Sequence, residues 1–386
     1  MSADVRPLAA RLATARRAVL TIFFINGAVF ASWAPYIPGV RERHRLSEGA
    51  LGLALLCIAL GGLVAMGASG WLLGRFGSRA VTATASLAFC LTLPLPVLAP
   101  SVPWLIVALL GFGIANGAMD VAMNAQGLAV ERGYARPIFS SMHGLFSIGA
   151  AIGAVVGGWA LATGLAPRTH LTAAAFGLGF LSLAAAGGLL PPEADAKTTE
   201  SRFARPTGPL LGLGGLAFIC LLAEGAVADW SAVYLRFVLG AEPGIAAGGF
   251  AAFALLMAVG RLTGDGLTGR LGSATLLRLS GLLATLGLSL ALWATAPAPS
   301  IAGFGLVGLG LANVVPVLFR AGSRIPGVAP GMGIAAVATA GYCGFLGGPP
   351  LIGFAAEAIT LTGALALVAA LIGVIAARAP VASHAD

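Results

Sequence analysis

Leu72-Leu73-Gly74-Arg75-Phe76-Gly77-Ser78 returns 195 residues later as Leu267-Thr268-Gly269-Arg270-Leu271-Gly272-Ser273. Each copy follows a long apolar run, and each places an arginine between glycines, where the chain can turn tightly and helices can approach closely. Two further pairs stand in the same chain order. Gly111-Phe112-Gly113-Ile114-Ala115-Asn116 matches Gly308-Leu309-Gly310-Leu311-Ala312-Asn313, and Gly27-Ala28-Val29 ahead of Trp33 matches Gly225-Ala226-Val227 ahead of Trp230. Gly and Ala are common throughout, so any one match says little. Three in order at nearly constant offset describe a chain built from two copies of one unit.

The medium around that unit follows from composition. Only 9% of the 386 residues are charged and 58% are hydrophobic, with a mean hydropathy of +0.96. A soluble domain carries about 25% charged residues, so a soluble enzyme is excluded, as are disordered and collagen-like chains. A helix needs about 20 apolar residues to cross the hydrocarbon core. Twelve such runs occur, at roughly 18–39, 48–74, 80–99, 103–129, 137–163, 170–190, 209–236, 244–268, 274–296, 299–324, 329–356 and 360–378. The expected fold is an all-α membrane protein of twelve transmembrane helices in two pseudo-symmetric six-helix bundles. The expected divisions are residues 1–190, a cytoplasmic linker at 191–208, and 209–386. The first span runs on into Trp33, Pro35 and Pro38 without a small-residue cleavage site, unlike a signal peptide.

The net charge of +8 invites a nucleic-acid reading, but its placement speaks for topology. With an even number of spans, fifteen of the Lys and Arg residues fall on the side of the termini and five on the other. Arg261 and Arg320 are set aside as intramembrane. The positive-inside rule then puts both termini in the cytoplasm, in an inner (cytoplasmic) membrane. Trp33, Trp104, Trp159 and Trp293 sit near span ends, as interface anchors do. Cys57, Cys90, Cys220 and Cys343 lie far apart inside apolar spans and read as small buried hydrophobes. No metal, cofactor or nucleic acid is expected, and the only lysine, Lys197, leaves no P-loop GK[ST].

Two six-span halves related by a parallel repeat resemble the major facilitator superfamily over essentially the whole chain. Gly70-x-Leu72-x-x-Arg75-x-Gly77-x-Arg79 is similar to that family's signature between helices 2 and 3. The usual acid is absent, since Gly74 and Gly269 stand in its place. The resemblance implies alternating access by rocking of the halves, with Arg75 and Arg270 as gating residues; simple positive-inside anchoring is the alternative. Arg261 and Asp265, spaced i, i+4 on helix 8, form a further candidate gating or structural pair.

Ionisable and carboxamide side chains inside a bilayer are costly, so each is a functional candidate. The spans hold Asn26; Asn116, Asp120 and Asn124; His143; Glu224 and Asp229; Arg261 and Asp265; Asn313 and Arg320. Eight of these eleven fall on spans 1, 4, 7 and 10, the helices that line the central cavity of the resembled fold. Asn116, Asp120 and Asn124 share one face at i, i+4, i+8. By rise per residue His143 lies level with Asn124, so an Asp120/Asn124/His143 cluster is within reach. Asp120-x-x-x-Asn124, with Ser140-Ser141-Met142-His143-Gly144 and Gly149-x-x-x-Gly153, resembles the fucose/glucose–proton symporter branch. There an acid-x-x-x-Asn on helix 4 serves proton coupling and sugar contact. That branch's acid on helix 1 has no counterpart beyond Asn26, and His143 takes the place of an amide.

The expected function is secondary transport of a small polar solute by proton symport, by a monomer in the bilayer. Its partners are the solute and protons. Asp120, Glu224, Asp229 and His143 are the candidates for proton coupling. Asn26, Asn116, Asn124, Trp230, Asn313 and Arg320 are the candidates for substrate contact. Asp120 or Glu224 paired with Arg320 is the structural alternative. The Gly149, Gly153, Gly157 and Gly158 run is close to a drug-antiporter pattern, but its proline is replaced by Ala154 and helix 4 lacks that group's arginine. An efflux antiporter is therefore the second reading, and a non-transporting sensor or scaffold the third.

Overall fold

Prolines and glycines divide the chain into helices. The computed structural model describes residues 5–134, 138–191, 208–328 and 330–385, and no strand occurs among them. Most of the predicted linker therefore lies outside the described residues. In chain order the helices are α1 (Val5–Trp33), α2 (Ile37–His44), α3 (Glu48–Thr92), α4 (Leu95–Leu98), α5 (Val102–Arg132), α6 (Phe139–Ala162) and α7 (Pro167–Ala186). There follow α8 (Gly208–Phe237), α9 (Pro243–Ala246), α10 (Gly248–Leu271), α11 (Ser273–Trp293), α12 (Pro297–Leu311), α13 (Val314–Gly322), α14 (Pro330–Ile359) and α15 (Leu361–Ala377). Proline opens α7, α9 and α12, where its missing N–H would have no helical partner anyway.

Among the described residues, ten stretches are long and apolar enough to cross a membrane. One of them contains two spans: α3 is interrupted at Gly77 (φ 77°, ψ 156°), a conformation that a Cβ would strain. With the shorter apolar α15, this gives the twelve spans read from the sequence. Span 10 is itself divided into α12 and α13. Pro316 has no N–H to offer the Ala312 carbonyl, so the ladder lapses between Leu311 and Val314. Span 1 differs at its C-terminal end, where the helix stops at Trp33 and a 3₁₀ turn, Ala34–Tyr36, leads into α2.

The described chain forms two compact units, residues 1–36 with 57–198, and 37–56 with 199–386. Residues 37–56 belong to the first repeat by sequence but group with the second unit. Within the first unit α1 packs along α6. A Cβ on Gly149 would meet the Phe24 carbonyl, and one on Gly27 the Phe146 carbonyl. Helices α3 and α5 meet at Gly113, which abuts the Ile58 carbonyl. The second unit repeats these contacts. Gly344 abuts the Phe218 carbonyl and Gly308 the Phe253 carbonyl, each 194 or 195 residues on from its counterpart. The Gly77 turn likewise recurs at Gly272 (φ 75°). In a membrane such backbone approach replaces the hydrophobic drive that water would supply. Gly149, Gly153 and Gly157 of α6 are accounted for by this packing, since a Cβ on them would meet Phe24, Ala28 and Pro35.

Two expectations change here. Trp104, Trp159 and Trp293 are 61%, 62% and 88% exposed, as anchors should be, but Trp33 is 3% exposed and belongs to the core at the α1 break. Cys343 is exposed, because it lies on an outward side of α14.

Candidate functional site

Two sets of polar side chains stand inside the spans, one in each unit. In the first, the Asn26 amide of α1 donates to the Asn116 Oδ1 of α5 at 3.0 Å. Two turns further along α5, Asn124 donates to the Asp120 carboxylate at 3.2 Å and to its main-chain carbonyl at 2.7 Å. Among the described residues Asp120 has no cation partner. His143 on α6 lies between two rings, its centroid 5.2 Å from Phe23 and 5.0 Å from Phe139, both edge-on. The amides thus bind α1 to α5, and the imidazole is seated against aromatic carbon.

The second unit is built differently. Glu224 on α8 faces the Arg261 guanidinium of α10 at 3.6 Å, and Cys220, one turn away, places its thiol 3.6 Å from the other carboxylate oxygen. Glu224 therefore pairs with Arg261 and not with Arg320, which is exposed on α13. The Asp265 side chain lies outside the described residues. Asp229 is half-buried on α8, with no hydrogen bond or ion pair among the described residues. Asn313, at the break before α13, donates to the Gly260 carbonyl of α10 at 3.1 Å and fills the space left by the missing Cβ of Gly264. Trp230 is wholly buried, so its ring is core packing and no platform for a solute. Arg75 and Arg270 are exposed beside the two glycine turns.

Asn116 and Asn313 looked equivalent by sequence, yet Asn116 reaches α1 and Asn313 reaches α10. The glycine contacts set the register of α5 against α12 at 195 through Gly113 and Gly308, which puts Asn313 two positions away from the counterpart of Asn116.

Sequence reasoning passed over three groups. Cys220 joins the Glu224 pair; its i, i+4 spacing was the available signal. Gln126, fully buried, donates to Ser78 at 2.6 Å and to the Leu190 carbonyl at 3.0 Å, and accepts from the Leu190 N–H at 2.9 Å. It lies off the face of Asn116, Asp120 and Asn124, so the helical pattern did not reveal it. Arg41 and Arg236, counted only as topology charges, bind the carbonyl five residues on, Leu46 at 3.3 Å and Ala241 at 3.1 Å. Each chain turns through a left-handed residue on the way, Arg45 (φ 52°) or Gly240 (φ 66°).

The model of the Major Facilitator Superfamily matches residues 19–329. The chain belongs to that superfamily. An uncharacterized MFS-type transporter of Yersinia pestis is 40% identical over 357 residues, covering 92% of this chain and 93% of its own length. Membrane protein MosC of Rhizobium meliloti is 37% identical, over 94% of this chain and 89% of its own. Among solved structures, a bacterial homologue of the human lysosomal transporter Spinster superposes with a TM-score of 0.74 at 14% identity, over 97% of both chains. The nucleoside transporter NupG gives 0.71 at 12% identity, over 95% of this chain and 98% of its own. At such identities the superpositions speak for the fold alone. Within the superfamily this chain is a multi-pass membrane transporter, not an enzyme.

Proposed function

We propose that this transporter moves a small polar solute across the cytoplasmic membrane by proton symport, as a monomer with both termini in the cytoplasm. The observation that carries this reading is the contrast between its intramembrane acids. Glu224 is neutralised by Arg261, while Asp120 is met by an amide and Asp229 by no described partner. A charge held in a low-dielectric interior without a counterion is costly. An acid in that position therefore gains by binding a proton, and it gives the proton up where water or a polar solute reaches it. Asn124 shares the carboxylate of Asp120, so a solute hydroxyl competing for that amide would link solute binding to the proton. The same acid-x-x-x-Asn pattern carried the sugar-symporter resemblance, and it supports a sugar-like or metabolite solute.

The test is uptake into proteoliposomes under an imposed pH gradient, with sugars, polyols, organic acids and drugs first screened by thermal shift. Asp120→Asn should fold and exchange solute passively but fail to accumulate it. Glu224→Gln should lose accumulation as well, because Arg261 is then unpaired. Wild-type accumulation by Asp120→Asn sinks the coupling role. Flux opposite to the proton gradient would reassign the protein as an antiporter.

A further inference from the structure

A groove of about 550 Å³ runs over the first unit between the two arms of α3 and α5. Its long wall follows α3 from Ala80 to Thr92, which is roughly 18 Å at about 1.5 Å per residue. That is close to the depth of one leaflet of a hydrocarbon core about 30 Å thick. Ile114 and Ala118 line it from the face of α5 opposite Asn116 and Asp120, so the groove is separate from the polar cluster. Only two of its twelve lining residues, Thr84 and Thr92, carry a polar side chain. Both spend their hydroxyls on their own helix, at the Ala80 and Phe89 carbonyls, each 2.9 Å away. The surface presented to an occupant is hydrocarbon.

The end of the groove has a different chemistry. Leu72 and Phe76 close it, and the exposed Arg75 precedes Phe76 in the chain, while Arg79 turns away to donate to the Gly187 carbonyl at the end of α7, at 3.4 Å. Trp71, 66% exposed, packs edge-on against Phe76 with centroids 5.8 Å apart. An aromatic pair beside a guanidinium group is the arrangement expected at headgroup level.

At the offset of 195 fixed by Gly77/Gly272 and Gly113/Gly308, Thr84, Ala88 and Gly111 correspond to Leu279, Leu283 and Leu306, while Thr92 and Ala115 correspond to Gly287 and Gly310. The second repeat thus carries bulkier side chains at the first three of these lining positions and smaller ones at the last two. A Cβ on Gly111 would meet nothing within 4 Å, so the space is open and not held shut by backbone contact.

We propose that this groove binds one phospholipid, its acyl chain along α3 and its anionic headgroup on Arg75. The choice of occupant rests on charge complementarity at one end and on a dry, leaflet-deep wall beyond it. The test uses nanodiscs of equal phosphatidylglycerol and phosphatidylethanolamine, with native mass spectrometry of the released protein. The wild type should retain a single phosphatidylglycerol. Ala88→Leu/Gly111→Leu, which installs the side chains of the second repeat, should lose that lipid, because the added side chains fill the space the acyl chain would occupy. Arg75→Ala should still retain a lipid but no longer prefer phosphatidylglycerol. Equal retention by the wild type and the filled variant overturns the proposal. So does a wild type that holds no lipid, or one that forms a dimer which the filled variant loses. Should the double variant fail to fold, Ala88→Leu alone keeps the question open to measurement. Dibrominated phosphatidylglycerol should quench wild-type fluorescence more than that of Trp71→Phe, and Ala88→Leu should remove the difference.

Discussion

The two units share a backbone and differ in their polar chemistry. Gly113 meets the Ile58 carbonyl as Gly308 meets that of Phe253, and Gly77 turns as Gly272 does. Yet the first unit keeps amides, a carboxyl without a cation and an unbroken α5, while the second has an ion pair and a helix broken at Asn313. Duplication explains the similarity. The divergence lies in side chains that do not build the fold, so those are the ones free to serve a function. Each variant below tests whether the shared part is truly equivalent and whether the divergent part is truly different.

The largest effect belongs to the shared contacts. Gly113→Leu and Gly308→Leu each drive a side chain into a main-chain carbonyl, which cannot yield as a flexible side chain would. Overpacking costs about 1–3 kcal/mol even among side chains, so about 3 kcal/mol or more is expected at both positions. The measure is the yield and melting temperature of monodisperse protein in detergent. A variant tolerated in one copy and not in the other would break the equivalence.

Next come the charges, where the copies should behave oppositely. Arg261→Ala leaves Glu224 without its counterion. Removing one partner of a fully buried pair costs 3–5 kcal/mol. Side-chain exposures of 24% and 15% for Arg261 and Glu224 reduce this to about 2 kcal/mol. Glu224→Gln added to Arg261→Ala should restore most of it. Asp120→Asn breaks no ion pair, so its melting temperature should stay near that of the wild type while accumulation is lost. A large destabilisation by Asp120→Asn would show that its carboxylate is held by something other than Asn124.

How much of this could be read beforehand depended on the distance over which each interaction acts. Apolar run length, glycine spacing and the Arg75/Arg270 repeat are local, and they defined the twelve helices and the internal duplication. The polar residues themselves were also legible, because composition makes each one conspicuous. Their partners were not. Glu224 had two arginines available in the sequence, and only the packing of α8 on α10 selects Arg261 over Arg320. The equivalence of Asn116 and Asn313 failed because a two-residue difference in register is invisible where Gly and Ala recur so often. Trp33 looked like an anchor because Pro35 and Pro38 mark the break after it, but not that the turn from Ala34 to Tyr36 is buried.

Smaller effects separate the two amides. Asn26→Ala and Asn313→Ala each remove one interhelical hydrogen bond, at 3.0 and 3.1 Å, and about 1 kcal/mol is expected from either. The consequences should differ in place. Faster amide exchange is expected in α1 and α5 for the first, and in α10 and α13 for the second. Exchange that rises in the same helices for both variants would contradict the assignment of their partners.

The smallest difference sets Arg41 against its repeat counterpart Arg236. Both reach the carbonyl five residues on, so that bond cancels in the comparison. Arg41 also pairs with Glu48 and lies over the Phe237 ring at 4.5 Å. Arg236 adds only Glu42 at 3.5 Å, with side chains 30% and 48% exposed. Exposed pairs contribute about 0–1 kcal/mol and are screened by salt, whereas a guanidinium on an aromatic face keeps part of its attraction. Arg41→Ala should therefore lower stability by about 1 kcal/mol and Arg236→Ala by about half as much. Melting in 1 M salt should erase most of the ion-pair share of the Arg236 effect and leave much of the Arg41 effect. Equal losses at low salt, shrinking together as salt rises, would mean that the ring contact adds nothing and that the two arginines remain as alike as the repeat that produced them.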